Sequence, residues 1–400
     1  MTGRVDIVVS FDWAPMVGGA HGWIESVYRH WPSEVDVFTC PVVGTAGCAR
    51  QDSLTIHRIA MPIPDIDLAS PAFWRRMLEN RSLLSAMARG RPTVLHALRA
   101  FPEGLLACVL GATRRGVQVV TYAHGEELMV ARTSRALALC ARWVYRRSSR
   151  IIANSANTAR LVSMLEPGCP VTVIHPGVTP RTLPDRDASR RALRAAYGWH
   201  PDAIVVLSVA RMERRKNHRA VIDAVSDARD CGLDVVAICA GDGPEHDAVC
   251  RHVQDRRLTG SVILPGYVTE DTKWQLLAGA DIFAMPSITV ESMLEGFGIV
   301  FMEAAWAGLP CVAGISGGQA EAVLNGKTGL AVNGDRRDEV SRAIELLARD
   351  AGLRRSLGEA GRRRAAELDA DAMRDRLWRL FRDESVCAGV MTSSEQRSDV

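Results

Sequence analysis

The sequence predicts an α/β protein with two parallel-sheet domains, each wound with helices on both faces. Three observations carry this. The chain has 400 residues, 47% of them hydrophobic, enough for two ordinary cores at roughly 100 to 200 residues per domain. Short apolar runs bounded by turn residues alternate with longer helical patterns, as strand-helix-strand units require. The series then repeats after an interruption.

Strands in the first half are expected at Val5–Ser10, Val35–Thr39, Thr55–Ile59, Val94–Ala97, Val117–Tyr122, Ile151–Asn154 and Val171–Ile174. The second half repeats the pattern at Ile204–Val209, Leu233–Ala240, Val262–Leu264, Ile282–Met285, Pro310–Ala313 and Gly329–Ala331. Between them Pro180, Pro184 and a cluster of Asp and Arg break the periodicity. The expected domains are therefore 1–179 and 200–369, joined by a linker at 180–199. A C-terminal helix, 370–384, is expected to pack back onto the first domain, and 385–400 reads as a frayed tail.

The formal net charge of +3 lacks the basic stripe of a nucleic-acid binder, so a small or neutral partner is expected. Among 49 basic residues only Lys216, Lys273 and Lys327 are lysines. A lysine within Arg214-Arg215-Lys216 therefore answers a local chemical demand. The ten cysteines show no paired or Cys-x-x-Cys spacing, which fits a reducing cytoplasm and indicates no zinc site. The apolar run Val5–Phe11 contains Asp6 and lacks a basic leader, so it reads as a strand, not a signal peptide. No stretch approaches the roughly 20 apolar residues of a spanning helix.

Parallel sheets bind ligands at the carboxyl ends of their strands, and the informative segments fall there. After Met285 a loop of small and polar residues leads through Glu295-Gly296-Phe297-Gly298 into a helix bearing Glu303. Gly296 and Gly298 free the backbone where amides would meet ligand oxygens, and a helix start favours anions. Glu295 and Glu303 are acceptors suited to sugar and ribose hydroxyls; the same residues would also suit a solvated helix face. After Val209, Arg211 and Lys216 offer a planar fork and a compact ammonium to a diphosphate. Gly241-Asp-Gly-Pro, Gly266-Tyr-Val268 and Gly317-Gly form further turns in this half.

Taken in order, Arg211, Lys216, Gly241-Asp-Gly-Pro, Gly266-Tyr-Val, Glu295-Gly-Phe-Gly with Glu303, and Gly317-Gly resemble the retaining GT-B glycosyltransferases of family 4. The resemblance is dense from Ser208 to Leu330. It implies two Rossmann-like domains facing across a cleft, Arg211 and Lys216 on the donor diphosphate, Glu303 on the ribose and Glu295 on the transferred sugar. It also implies backbone contacts from Gly296, Phe297, Gly298 and Ile299, and a base pocket lined by Gly266 and Val268. In the first half, Gly18-Gly19 resembles the family's glycine loop, and His124-Gly resembles the motif whose histidine meets the donor sugar. Two departures are Asn217, where the family often has glycine, and Thr179, where it often has aspartate.

The expected reaction transfers a sugar from a UDP- or GDP-sugar to a small-molecule acceptor, such as a natural product, by a front-face route, with no metal and no further cofactor. Asp65-Ile-Asp67 and Asp369-Ala-Asp371 fit a metal-site tripeptide but lie away from the donor motifs. The alternatives are a lipid or cell-envelope acceptor, a sugar-nucleotide epimerase or hydrolase on the same fold, and a binding protein with a relic site. The stretch Arg135–Arg150, with Leu137, Leu139, Trp143 and Val144, suits either an anionic membrane surface or packing on the sheet, and packing is favoured. Trp13, Trp23, Phe73 and Trp74 are candidates for acceptor stacking or for core.

Overall fold

The computed structural model describes residues 4–14, 19–42, 47–59, 70–88, 91–112, 114 and 116–382. By its contacts the chain divides into two units, Met1–Pro176 with Ala370–Val400, and Gly177–Asp369.

The first unit holds strands β1 (Val5–Val9), β2 (Val35–Thr39), β3 (Cys48–Gln51), β4 (Leu54–Arg58), β5 (Thr93–Ala97), β6 (Val117–Ala123), β7 (Arg150–Ala153) and β8 (Val171–Val173). Its helices are α1 (Gly19–Arg29), α2 (Pro71–Ala88), α3 (Leu105–Gly111), α4 (Glu126–Ala131), α5 (Arg135–Arg147) and α6 (Ala156–Leu165). The sheet order is β3-β4-β2-β1-β5-β6-β7-β8, parallel throughout except that β3 runs antiparallel to β4. β3 was not expected from sequence. Cys48-Ala-Arg-Gln is polar and mostly exposed, because an edge strand needs no apolar face.

β1 is buried along its whole length, as a parallel strand covered on both faces must be. Asp6 is tolerated there because its oxygens accept from Arg4 at 2.8 Å, Trp31 Nε1 at 3.3 Å and Ser33 at 3.2 Å, with His96 Nε2 at 3.2 Å. The last helix, α15 (Ala370–Arg382), returns to this cluster. Arg4 donates to the Phe381 carbonyl at 2.9 Å, and Trp378 meets Trp31 edge-on at 5.2 Å between ring centroids.

The second unit holds β9 (Ile204–Val209), β10 (Val235–Ala240), β11 (Val262–Ile263), β12 (Ile282–Met285), β13 (Cys311–Gly314) and β14 (Gly329–Val332), in the order β11-β10-β9-β12-β13-β14 and all parallel. Its helices are α7 (Arg186–Ala196), α8 (His218–Asp230), α9 (His246–Asp255), α10 (Glu270–Gly279), α11 (Ile299–Trp306), α12 (Gln319–Ala322), α13 (Arg337–Arg349) and α14 (Ala351–Glu367). The strand order reverses direction between β9 and β12, and the loops leaving such a switch point diverge to form a crevice.

The expected linker at 180–199 is corrected by α7, which belongs to the second unit. Arg194 is buried and donates to the carbonyls of Ala203 (2.8 Å) and Gly279 (3.1 Å) and to Asp281 (2.5 Å). Asp281 in turn accepts the Val205 amide at 2.8 Å. The sequence hid this because the apolar residues of α7 are four alanines and Leu193, which packs on the core edge, while its strongest tie is a buried ion pair.

In α5, Val144 joins Ala141 and Tyr145 in the core, Leu137 and Trp143 pack against it, and Leu139 is left 64% exposed. Trp13, Trp23 and Phe73 are core residues, while Trp74 is exposed. Among the described residues, no helix is long and apolar enough to cross a membrane, and no group of three or more His, Cys, Asp or Glu could hold a metal ion. Asp65-Ile-Asp67 and the tail 385–400 lie outside the described residues, and Asp371 accepts from Arg374 at 2.6 Å.

Candidate donor-binding site

The site grows from the loops after β9 and β12. Beyond β9, Arg214–Lys216 form a single 3-10 turn that ends at Asn217, whose φ of 59° is left-handed. Asn tolerates that conformation better than most residues. Its side-chain amide donates to the Pro286 carbonyl at 3.1 Å and the Gly334 carbonyl at 2.8 Å. The departure from glycine therefore ties the basic loop to the end of β12.

Neighbouring loops lock this arrangement. Gly241 has φ 138°, and a Cβ there would collide with the Ala210 carbonyl; its amide donates to the Gly266 carbonyl at 2.8 Å. Gln319 is fully buried and joins the ends of β12 and β13. Its oxygen accepts the Ser287 and Gly314 amides at 3.1 and 2.9 Å, and its nitrogen donates to the carbonyls of Ser287 and Ser316 at 3.0 and 2.7 Å. A Cβ on Gly317 would strike the Glu295 carbonyl, which accepts the Gly318 amide at 2.9 Å. The Gly317-Gly turn thus fixes the backbone that presents Glu295.

The Glu295 carboxylate is nearly buried and contacts both the Lys216 ammonium and Arg215 Nη1, the latter at 3.1 Å. Burial would raise its pKa, but Lys216 and Arg215 outweigh burial and hold it below the usual carboxyl range. Arg215 was not singled out from sequence. Its Nε also donates to Glu213 at 2.9 Å, so it braces Glu295 from behind. Arg211 reaches this group only through Glu213, which lies 3.2 Å from its guanidinium and also accepts from Arg215; its side chain is 73% exposed.

Gly298, at φ 88°, caps α11, and a Cβ there would lie 2.6 Å from the Phe301 ring. The Phe301 amide donates to the Gly298 carbonyl at 3.0 Å, and the amides of Ile299 and Val300 ahead of it precede the first acceptor carbonyl of the helix. The Phe297 ring is buried in the core, so only its backbone can meet a ligand. One helical turn further, Glu303 Oε1 pairs with Lys273 at 2.7 Å. Lys273 is the second residue missed from sequence, although its rarity as a lysine was a usable signal. Tyr267 is 63% exposed beside Val268, which packs on the core edge.

In the first unit His124 follows β6 and is buried. Its Nε2 donates to the Leu98 carbonyl at 2.8 Å, which fixes that tautomer, and its amide donates to Glu127 at 2.8 Å. Gly19 opens α1, and Gly18 lies outside the described residues.

Two units of this topology, with a basic loop, a glycine-opened helix and two glutamates at the switch point of the second, define a nucleotide-sugar-dependent glycosyltransferase of the GT-B class. The chain belongs to glycosyltransferase family 4. Residues 17–182 match the family described as Glycosyltransferase Family 4, and residues 189–364 match Glycosyl transferases group 1. It is 34% identical over 276 residues to the GDP-mannose-dependent alpha-(1-6)-phosphatidylinositol monomannoside mannosyltransferase of Mycolicibacterium smegmatis, covering 65% of this chain and 67% of that one. It spans about half the length of two other curated relatives bearing that description, both from Mycobacterium tuberculosis. In fold it is similar to sucrose-phosphate synthase from Thermosynechococcus elongatus (TM-score 0.77, 18% identity, 96% of this chain and 100% of that one). It is also similar to Anabaena Alr3699/HepE in complex with UDP and glucose (TM-score 0.74, 19% identity, 94% and 99%).

Proposed function

We propose that the protein transfers a sugar from a UDP- or GDP-sugar to a small-molecule hydroxyl with retention at the anomeric carbon. The observation that carries this reading is the clasp of Lys216 and Arg215 on Glu295 beside the start of α11. Glu295 is fixed and ionised, ready to accept from a hydroxyl of the donor sugar. An ammonium has three N–H donors, so Lys216 can hold Glu295 and still meet phosphate oxygens. Arg211, exposed at the mouth of the same loop, supplies the planar fork.

This charge distribution supports a front-face route. The bond from C1 to the phosphate oxygen breaks while the acceptor oxygen bonds to C1 on the same face. The departing phosphate oxygen takes the acceptor's proton. Negative charge grows on the diphosphate as this happens, so Lys216, Arg211 and the α11 amides stabilise the transition state more than the ground state. A double-displacement route would need a presented carboxylate nucleophile. In the first unit Glu127 is buried on the His124 amide, which supports the single-step reading. There, His124 is assigned to the donor sugar.

A lipid acceptor is the second reading, favoured by the mannosyltransferase relative, whose name specifies a phosphatidylinositol monomannoside. Calorimetry with UDP, GDP, ADP and dTDP tests the donor, with UDP or GDP expected to bind. Lys216→Met is expected to lower kcat by about 10²- to 10³-fold. Failure of all four nucleotides to bind, or unchanged turnover in a variant combining Arg211→Ala with Lys216→Met, overturns the reading. An inverted product, read from the anomeric proton coupling, overturns the retaining route alone.

A further inference from the structure

The reaction above makes no use of Lys273, yet the two glutamates flanking the Gly296–Gly298 turn each hold one of the chain's three lysines. In a chain that otherwise uses arginine, an ammonium at both places marks a demand for a compact charge in place of a planar fork. Lys273 is nearly buried, 12% exposed, and its ammonium donates to Glu303 Oε1 at 2.7 Å and Glu270 Oε1 at 2.9 Å. It also lies 5.7 Å from the centre of the Trp274 ring. Glu303 is itself 18% exposed, with buried Phe301, Met302 and Ala304 as neighbours along its helix. The charges that face it are Lys273, Glu270 and Arg181, and Arg181 is occupied with Asp271 at 3.2 Å and stands over the Trp274 ring.

A carboxyl in such surroundings drifts toward its neutral form unless a cation opposes burial. A neutral carboxyl carries a proton on one oxygen and so becomes a donor there. A ribose diol presents two hydroxyl donors and needs two accepting oxygens. Lys273 approaches Oε1 alone, and each carboxylate oxygen has a second lone pair, so an ionised Glu303 can hold the ammonium and both hydroxyls.

We propose that Lys273 is a positioning residue for ribose recognition, holding Glu303 ionised and oriented so that its carboxylate accepts from both hydroxyls of the nucleotide's ribose. The proposal rests on the reading that Glu303 meets the ribose. Burial pushes the Glu303 carboxyl up while Lys273 opposes it, and Glu303 in turn raises the lysine despite its burial, which agrees with the geometry.

Calorimetry tests it by comparing the better-binding of UDP and GDP with its 2′-deoxy counterpart, from about pH 6 to about pH 9. The wild type is expected to prefer the ribonucleotide about tenfold or more, as hydrogen bonds to a charged acceptor do, and to keep that ratio near neutral pH. Lys273→Met is expected to reduce the ratio to about twofold at neutral pH and to recover part of it as the pH rises and Glu303 ionises unaided. Lys273→Arg should restore most of the ratio, and the donor KM should change more than kcat. A Lys273→Met protein with wild-type melting temperature and the full ratio at every pH, beside a Glu303→Gln protein that has lost it, overturns the proposal and leaves the ribose reading standing. A wild-type ratio that already collapses at neutral pH also overturns it, without reliance on any variant. Equal ratios in the wild type and Glu303→Gln would remove the ribose reading beneath it.

Discussion

Buried carboxyls are held in two ways: by cations, as at Asp6, Glu25 and Glu166 of the N-terminal unit and at the donor loops of the C-terminal one, or by backbone amides, as at two glutamates of the N-terminal unit. In the C-terminal unit Asp281, Glu295 and Glu303 each contact at least one lysine or arginine, through Arg190 with Arg194, Arg215 with Lys216, and Lys273. In the N-terminal unit Glu103 and Glu127 rest on backbone amides, those of Phe11 and His124. Arg99 acts on them only through space, because its guanidinium is bound to Asp12 at 2.7 Å. Burial consequently pushes both carboxyls up, Glu127 to about 7. One unit sets cations directly against its buried carboxyls. The other keeps two carboxyls that burial pushes toward their neutral form, one of them, Glu127, on the His124 amide.

The sharpest way to break this contrast is to remove a cation from the first group. Arg194→Met leaves Asp281 with Arg190 alone and strips the donor from the carbonyls of Ala203 and Gly279. Breaking a buried pair from one side costs about 3 to 5 kcal/mol, which chemical denaturation of the C-terminal unit would show. A loss under 1 kcal/mol would mean that α7 is not the anchor its contacts suggest.

The complementary test removes a carboxyl from the second group. Because the folded-state pKa of Glu127 lies above its unfolded value of 4.5, the folded form binds the extra proton. The stability associated with it is whole below about pH 4.5 and is lost as pH rises to about 7. A shift of this size corresponds to about 3 kcal/mol above that window. Glu127→Gln keeps an acceptor for the His124 amide and is expected to flatten this part of the stability profile between pH 4.5 and 7. An unchanged slope would show that Glu127 is ionised throughout, like its counterparts in the other unit.

Legibility in sequence followed the same division. All thirteen strands expected from apolar runs are present, because a parallel strand covered on both faces leaves a continuous apolar signature. β3 escaped because an exposed edge strand carries no apolar period, and α7 because its apolar residues are only alanines and Leu193 beside a buried ion pair. In the site, Glu295, Glu303 and Lys216 stood out by spacing and rarity, whereas Arg215 was lost among adjacent arginines. Lys273 lies thirty residues before Glu303, and only the packing of α10 near α11 brings them together. Arg211 was read as converging with Lys216 on a diphosphate; its guanidinium meets Glu213, which also accepts from Arg215.

The smallest expected effect concerns how the charged unit fixes its basic loop. Asn217→Gly removes two hydrogen bonds, to Pro286 and Gly334, but relieves the left-handed backbone. The net change should be about 1 kcal/mol. Asn217→Ala loses the same bonds and adds the steric cost of a Cβ at positive φ, about 1 to 2 kcal/mol more. If the loop serves mainly to hold Lys216, both variants should weaken nucleotide binding in the same order as they lower stability. Glycine binding nucleotide as tightly as asparagine would show that backbone conformation alone sets the loop, leaving the amide bridge to β12 as a structural tie that Lys216 does not need.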